Sequence, residues 1–592
     1  MAIDRNTVPA SRKWRLEDLF STPEAWEACY ADVEASLDFS AFEGTLGTAD
    51  GYLACMRAVN AAAEKLERLY VYASMKHDED TRRSDNTALY SRARFLATRF
   101  SSAVAWIGPE LTSLDDAVLA ALAADPALSE FDYTLRRAAA SKPHTLSRET
   151  EQTLSMAGSA LSGCRQVFSM LNNADFPFPT VKDENGKPVT VTHGVYGQML
   201  RSTDRGVRRR TFKAFYAEFI RLANTITAAY AGQVDADVFS ARAHRYPSAL
   251  AAALDREDVD ESVYRHLIAA VHRGLPALHR YYTVRKKMSG LSSQHMYDLY
   301  TAVVPDAELR LDYEQAFALV KEGLAPLGKE YGQLLQKAHD EGWIDVEETE
   351  GKRSGAYSTG AYGAPHPYVL LNYHPCTSDV FTIAHELGHA MHTWFSSHAQ
   401  PQEKADYRIF VAEVASTVNE ILLLRHLLRT TDDRALRKYL LSYYMDTLKG
   451  TMFRQTQFAE FEAVAHDMAE KGQPLTAEAL CKVYYDLNRR YYGRSVVSDP
   501  EIAYEWARIP HFYTAFYVYK YATGIISAVA IVDRIERLGE AAVRDYFGFL
   551  SSGGSDSPVE LLKLAGVDLT GRAPFDAAIK SFSDALDEFA AL

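Results

Sequence analysis

Cysteine is scarce in this 592-residue chain, and its five cysteines lie far apart, at Cys29, Cys55, Cys164, Cys376 and Cys481. No two of them form the Cys-x-x-Cys spacing that builds structural zinc sites and redox centres. An odd number of scattered cysteines also excludes a scaffold held together by disulfides. We therefore predict free thiols.

Long hydrophobic runs are missing as well. No stretch of about 18 uncharged apolar residues, the length needed to span a bilayer, occurs in the sequence. Residues 1–9 lack the apolar core of a secretory signal. We predict no membrane span and no export signal, and we expect the protein to lie in the cytoplasm.

Positive charge is the third deficit. The chain has 64 Lys and Arg residues against 78 Asp and Glu, a formal net charge of −14. Such a surface repels the phosphates of nucleic acids and of anionic membranes. The one basic cluster, Arg208 to Arg210 with Lys213, begins an amphipathic helix and is explained by a solvated helix face. The sequence predicts no nucleic acid and no membrane among the partners.

What the sequence does contain is helical periodicity. Apolar residues recur at helical spacing over most of residues 14–171, with a long helix or a helical pair at 61–102. The same spacing returns at 212–230 and continues to about residue 341. We predict a mainly α fold that is divided into two helical regions, residues 1–190 and residues 191–592.

Three short segments depart from this pattern. Residues 180–191 predict a β-hairpin that turns at Asn185-Gly186. Four glycines between Gly351 and Gly363 indicate a mobile loop, which lacks a phosphate-binding pattern. Residues 367–373 are rich in β-forming side chains. They form either an edge strand that can pair with an extended peptide or an ordinary interior strand.

The stretch around which the chain is organised holds a His-Glu-x-x-His pattern at His385, Glu386 and His389. Residues four apart lie one above the other on a helix, so both imidazoles can bind one metal ion. Glu386 then stands beside them as a general base. With 18 His among 592 residues, about 0.04 such matches are expected by chance. The pattern predicts the active-site helix of a zinc peptidase.

The flanks of the pattern favour a helix. Ser378 or Asp379 can cap a helix that enters at Val380, and apolar residues follow at helical spacing. His392 lies on the metal face, but about 10 Å along the axis from His385. We interpret His392 as a residue that supports the site or faces the substrate. The competing interpretation of the whole stretch is a core helix with two hydrogen-bonded histidines.

Zinc needs a third protein ligand and an open fourth position. One large class of sites takes a third histidine at the position occupied here by Phe395, so that class is excluded. Glu413 lies in an apolar, helix-patterned run, so we expect a buried carboxylate that needs a cation. It is the candidate third ligand, beside both histidines, of one zinc ion per chain. Glu420, two turns further on, either supports a ligand or faces solvent.

Three motifs together resemble a known family. They are residues 385–392 with the zinc pattern, residues 410–416 around Glu413, and the upstream residues 241–250. Combined, they are similar to the oligoendopeptidase F branch of the thimet oligopeptidase family, over about residues 14–585. The resemblance implies a mainly α, zincin-like metallopeptidase in which two helical regions enclose a deep substrate channel, with a small β element near the active-site helix. It also implies endopeptidase action on short peptides.

Within that family, a histidine followed by several tyrosines contacts the substrate. The matching stretch is residues 509–521, and the resemblance implies catalytic contacts from His511, Tyr513 and Tyr517. A tyrosine hydroxyl or an imidazole can donate a hydrogen bond to the oxyanion that forms during peptide hydrolysis. This chain lacks the glycine-rich loop that follows the histidine in the thimet branch. Which tyrosine contacts the transition state therefore stays open.

Two other functions also stay open. A carboxypeptidase-like zinc exopeptidase would release residues from one end of a peptide. A non-catalytic protein with a structural zinc would bind peptides without turnover. Against the second, a structural site is closed by four protein ligands and has no need of a base such as Glu386. Short peptides are the predicted partners in each case. The sequence does not indicate whether the chain is a monomer or an oligomer.

Overall fold

The computed structural model describes residues 3–304, 307 and 309–592. The chain forms two compact units, each assembled from three segments. Unit 1 comprises Met1–Thr145, Glu308–Thr430 and Ile531–Asp568. Unit 2 comprises Leu146–Ala307, Thr431–Ala530 and Leu569–Leu592. The sequence-based boundary at residue 190, between an N-terminal helical region and a catalytic region, stays a prediction.

The α-helices of the described residues are numbered in chain order. The first are α1 (Pro23–Ala35), α2 (Ala49–Glu79), α3 (Ser84–Val104), α4 (Ile107–Ser113), α5 (Asp116–Ala124), α6 (Asp132–Ser141), α7 (Arg148–Leu161) and α8 (Gly163–Asn173). There follow α9 (His193–Met199), α10 (Arg205–Arg221), α11 (Ala223–Ala243), α12 (Ala249–Asp255), α13 (Glu261–Met288), α14 (Tyr313–Gly323) and α15 (Gly328–Asp340). The last are α16 (Thr377–Ala399), α17 (Gln402–Ala405), α18 (Ile409–Thr430), α19 (Arg434–Leu448), α20 (Arg454–Glu470), α21 (Ala477–Tyr492), α22 (Tyr519–Leu538), α23 (Glu540–Leu550), α24 (Pro558–Leu564) and α25 (Ala573–Ala591).

The predicted helical pair near the start of the chain is confirmed as α2 and α3 of unit 1. Thr48 caps α2, because its hydroxyl oxygen accepts a hydrogen bond from the Gly51 N–H at 3.2 Å. The pair contributes Leu69 and Leu96 to a core that also buries Trp26 of α1. Apolar burial of this kind, rather than helix propensity alone, stabilises most helices in a folded protein.

The predicted hairpin is confirmed in unit 2. Strand β1 (Thr180–Lys182) pairs antiparallel with β2 (Pro188–Thr190). Gly186, in the turn between them, has a φ of 79°, a left-handed conformation that glycine adopts without a steric penalty.

Unit 1 contains a small sheet of β3 (Ile344–Asp345), β4 (Tyr357–Thr359) and β5 (Tyr368–Leu370). The strand order is β3-β5-β4, with β5 parallel to β3 and antiparallel to β4. Both sides of β5 are therefore paired, and of the two interpretations of residues 367–373 the interior strand is confirmed. Strands β3 and β4 are the two edge strands, and β4 lies within the glycine-rich segment for which the sequence predicts a mobile loop.

The cysteines and the apolar character of the helices bear on two further predictions. All five cysteines are free thiols, as predicted. Among the helices of the described residues, none combines the length and the apolar character that crossing a bilayer requires.

Candidate metal centre

Helix α16 is the platform of the candidate site. It begins at Thr377, three residues before the predicted start, and the side chain of Cys376 before it makes no capping bond. Asp379, predicted as a cap, instead accepts a hydrogen bond from the His374 N–H at 2.8 Å. One side of α16 is an apolar, fully buried face. The two histidines of the zinc pattern lie on its other side and are half-buried.

Helix α18 packs closely against α16 because Gly388 has no side chain at the point of contact. A Cβ atom built there would lie only 2.5 Å from Ser416 Cα, a distance that real Cβ atoms do not reach. Next to this contact, the Asn419 side-chain N–H donates to the Ala384 carbonyl at 3.0 Å. Tyr331 in turn donates its hydroxyl to the Asn419 side-chain oxygen at 3.0 Å. These contacts fix the axial position and the rotation of α18 relative to α16.

Three possible ligand atoms meet between these two helices. His385 Nε2 and His389 Nε2 are 3.2 Å apart, and Glu413 Oε2 lies 3.3 Å from the first and 3.5 Å from the second. A zinc ion with tetrahedral bonds of about 2.0 to 2.1 Å separates its ligand atoms by about 3.3 Å. The triangle therefore has the size of one face of a zinc tetrahedron, and the residues fit that metal.

Glu420 determines which nitrogen of His385 carries a proton. Its Oε1 is hydrogen-bonded to His385 Nδ1. A carboxylate oxygen can only accept, so Nδ1 donates to Glu420, and Nε2 is the nitrogen that faces the triangle and would become the ligand atom once a metal ion displaced its proton. Of the two interpretations of Glu420 from the sequence, contact with a histidine is thus the one that the structure contains.

The histidines of the triangle lie beside carboxylates and form ion pairs with them. Burial opposes a charged imidazole, but hydrogen bonds to Glu413 and Glu420 outweigh it and raise the pKa of His385 to about 10. Hydrogen bonds to His385 and His389 hold the pKa of Glu413 well below its usual range. The expectation that Glu413 is buried is wrong, because 43% of its side chain is exposed. The carboxylate extends away from the apolar face of α18 toward the histidines.

Glu386 has a different environment from the three ligand candidates. It is only 7% exposed, and burial raises its pKa, although the charges of His385 and His389 act in the opposite direction. Glu386 follows His385 directly on α16 and therefore stays beside the triangle. Its placement is compatible with an acid or base that works next to a metal.

His392 is enclosed by the fold, which decides one of the two interpretations made from the sequence. Its ring is 1% exposed and stacks face to face on Tyr407, with centroids 3.7 Å apart. Burial lowers the pKa of His392 to about 3. A side chain so enclosed does not face a substrate, and the interpretation of His392 as a substrate contact is wrong.

The three aromatic candidates belong to unit 2, on a segment that is not one continuous helix. Pro510–Tyr513 is a short 3-10 helix, a turn follows, and α22 begins only at Tyr519. In one continuous helix Tyr513 and Tyr517 would share a face, but this interrupted backbone does not provide such a face. Phe516, between them, has a φ of 55°, in the left-handed region that residues other than glycine rarely adopt.

This backbone separates the candidates into two groups. Tyr513 is 5% exposed and stacks on Phe168 with ring centroids 4.1 Å apart. His511 and Tyr517 instead form a ring cluster with Tyr521, with centroids 5.5 to 6.2 Å apart. We call His511, Tyr517 and Tyr521 the aromatic trio. Sequence reasoning selected two of its members and missed Tyr521, although Tyr521 follows Tyr517 at helical i, i+4 spacing.

The mainly helical, zincin-like fold and the His385, His389 and Glu413 triangle define the class of this chain, which is that of the metallopeptidases. The model of Peptidase family M3 matches residues 198–581, and that of Oligopeptidase F matches residues 110–178. The chain is 42% identical to oligopeptidase PepF of Bacillus subtilis over 99% of its own length and 88% of the relative. It is 37% identical to an oligoendopeptidase F homolog of Lactococcus lactis, over 99% and 98% of the two chains.

Solved structures give the same result. A crystal structure of oligoendopeptidase-F from Enterococcus faecium matches with a TM-score of 0.73 at 36% identity, covering 96% of this chain and 98% of the other. A peptidase from Chlamydophila abortus matches with a TM-score of 0.95 at 34% identity over all of both chains. The chain belongs to peptidase family M3, in its oligopeptidase F branch.

Proposed function

We propose that the chain is a zinc-dependent oligoendopeptidase that cleaves internal bonds of short, unstructured peptides. One zinc ion per chain is bound by His385, His389 and Glu413. The proposal rests above all on the triangle of their ligand atoms, whose sides of 3.2, 3.3 and 3.5 Å suit a tetrahedral ion. Three protein ligands leave a fourth position open, as catalytic zinc sites require.

Bound zinc supplies a Lewis acid that polarises the scissile carbonyl and acidifies water. Glu386 takes the proton of the attacking water on a carboxylate oxygen and later delivers it to the nitrogen of the leaving amine. Glu420 keeps the proton on His385 Nδ1, so that Nε2 stays available as a ligand.

We assign His511 and Tyr517 as hydrogen-bond donors to the oxyanion, on the strength of the family resemblance. Each belongs to the aromatic trio, and the Tyr517 hydroxyl can donate a hydrogen bond to the oxyanion while it keeps its proton. Tyr513 remains a third candidate. We expect a smaller contribution from it, because its hydroxyl is buried and without a hydrogen-bond partner in the part of the chain that the structure describes.

Strand β4 supports the proposed use of extended peptides. It forms one of the two edges of the sheet of unit 1 and lies next to α16, where Gly360, directly after the strand, is close to Thr393. An edge strand presents backbone N–H and C=O groups that can pair with an extended chain. A substrate backbone bound in this way is recognised without regard to most of its side chains, as a peptidase of broad specificity requires.

An internally quenched peptide of about ten residues, blocked at both ends, tests the proposed function. An endopeptidase cuts it at internal bonds, which mass spectrometry of the products identifies. A carboxypeptidase-like exopeptidase leaves the blocked peptide intact and releases residues only from a free end. Turnover should stop when a chelator removes the metal and return when zinc is added. Cleavage that persists in metal-free protein would overturn the proposal.

A further inference from the structure

Glu462 of α20 is a fully buried carboxyl group that forms no ion pair with any residue the structure describes. It is 0% exposed, and burial raises its pKa far above the usual range. Its Oε1 accepts a hydrogen bond of 2.6 Å from the Phe516 N–H. Among the described residues, Oε2 has no hydrogen-bond partner. A carboxyl group in such a place costs free energy to bury, so its one strong contact needs an explanation.

That contact holds a strained residue. Phe516 has a φ of 55°, a left-handed conformation in which the Cβ atom of an L-residue lies too close to the carbonyl oxygen that follows. Its ring is packed on His466, with centroids 4.6 Å apart, and against Tyr264 at 5.8 Å. The hydrogen bond to Glu462 and these ring contacts together over-determine the conformation, which is how strained residues persist in folded proteins.

The strain has a direct consequence for the next residue. Tyr517 follows Phe516, and the reversal of the chain at Phe516 sets the direction in which the Tyr517 side chain leaves the backbone. In this conformation its ring lies 6.2 Å from that of His511 and 5.5 Å from that of Tyr521. If Phe516 returned to an ordinary φ, the peptide plane before Tyr517 would rotate and the aromatic trio would separate.

We propose that Glu462 is a positioning residue for catalysis, which holds Phe516 in its left-handed conformation and thereby places Tyr517 in the aromatic trio. This inference rests on the proposed function, in which Tyr517 donates to the reacting oxygen. Glu462 itself touches no reacting atom. Its carboxyl oxygen Oε1 acts only as an acceptor for one backbone N–H, so another uncharged group with an oxygen in the same place should suffice.

Two substitutions at this position separate the acceptor from the volume. Glu462→Met keeps the length of an unbranched side chain but removes the acceptor, whereas Glu462→Gln keeps an oxygen for the Phe516 N–H. Gln457→Met is a matched control, since Gln457 is another buried polar residue of α20 and is 1% exposed. It tests whether any buried methionine on this helix has the same effect.

Hydrogen exchange of the peptide that contains residues 514–518 measures the positioning without reference to activity. We expect faster exchange in Glu462→Met and near wild-type exchange in Glu462→Gln and Gln457→Met. Unchanged exchange in Glu462→Met would overturn the inference. This readout decides the matter even if the wild-type protein cleaves no peptide, an outcome that would overturn the proposed function alone.

Kinetics then test whether Glu462 acts through Tyr517. We expect Glu462→Met to lower kcat by about 10- to 100-fold with KM within about threefold, the scale of effect of misplacing a catalytic group. Glu462→Gln should restore kcat to within about threefold. In the double variant Glu462→Met with Tyr517→Phe, kcat should fall no further than in Tyr517→Phe alone. Losses that multiply, or a Glu462→Gln variant as slow as Glu462→Met, would overturn the inference.

Discussion

The metal triangle of unit 1 and the aromatic trio of unit 2 are built in opposite ways. The triangle stands on two regular helices, α16 and α18, which are locked together at Gly388 and Asn419. The trio stands on a 3-10 turn, a left-handed residue at Phe516 and the start of α22. Regular helices place side chains by sequence spacing alone, whereas the irregular segment needs a buried acceptor, Glu462, to define its course. The two regions should therefore respond differently to substitution.

The largest effect is expected from Glu386→Gln, which separates catalysis from zinc binding at the metal triangle. Glu386→Gln keeps the shape of the side chain but removes the proton acceptor, so turnover should fall by about 10⁴-fold, the upper end for general acid–base catalysis. Zinc content should stay at the wild-type level, because Glu386 is outside the triangle. Steady-state kinetics and metal analysis of the same preparation measure both quantities. Near-normal turnover would end the proposed mechanism.

The second prediction compares two tyrosines of the irregular segment. Tyr517→Phe removes one donor to the oxyanion and should lower kcat and kcat/KM together, by about 10²- to 10³-fold. Tyr513→Phe is the matched variant. We expect less than a threefold change from it, because Tyr513 is stacked on Phe168 with its hydroxyl buried. The opposite ranking would transfer the oxyanion contact to Tyr513.

The same contrast explains how much of this protein was predictable from its sequence. The i, i+4 spacing of His385 and His389 fixes their geometry once the segment is helical, so the zinc pattern predicted two corners of the triangle. Glu413 was predicted as the third ligand because it is an acid within an apolar helical run. The same pattern did not predict that its side chain is partly exposed. Pairing of α18 with α16 depends on a tertiary contact at Gly388, which no local pattern reveals.

Prediction was least successful where the backbone leaves regular geometry. The left-handed φ of Phe516 has no local signal, because phenylalanine rarely adopts it. Tyr513 was therefore grouped with His511 and Tyr517 as a candidate, and Tyr521 was missed. The strand β4 was overlooked for a related reason, since three residues within a glycine-rich segment give too short a pattern to detect. His392 satisfied the helical spacing, but its burial against Tyr407 depends on the packing of the whole unit.

The third prediction concerns the orientation of a ligand in the regular region. Glu420→Gln should weaken zinc binding by about 10- to 100-fold, because a neutral amide oxygen is a weaker acceptor for His385 Nδ1–H than a charged carboxylate oxygen. Competition with a chelator of known affinity measures the change. Glu348→Gln is a suitable control, since Glu348 pairs with His374 instead of a ligand candidate. Equal zinc affinity in Glu420→Gln and wild type would remove Glu420 from the site.

The smallest effect tests the locking of the two helices. Gly388→Ala places a Cβ atom against the backbone of Ser416, and we expect a loss of about 1 to 3 kcal/mol in the free energy of unfolding. Gly332→Ala is the matched control. Outside the backbone of α15 itself, no atom of the described residues lies within 4 Å of a Cβ at Gly332, so the change should stabilise that helix by about 1 kcal/mol. Thermal melting compares the two, and equal shifts would show that α16 and α18 are not in close contact.

Zinc stoichiometry with X-ray absorption at the metal edge tests the central claim most directly, that two regular helices form a zinc site from three side chains. For the wild-type protein we predict one zinc ion per chain, with nitrogen and oxygen neighbours at about 2.0 to 2.2 Å. Stoichiometric zinc should be lost in Glu413→Ala and retained in Glu386→Gln. Full zinc occupancy in Glu413→Ala, or its loss in Glu386→Gln, would contradict the assignment of the triangle.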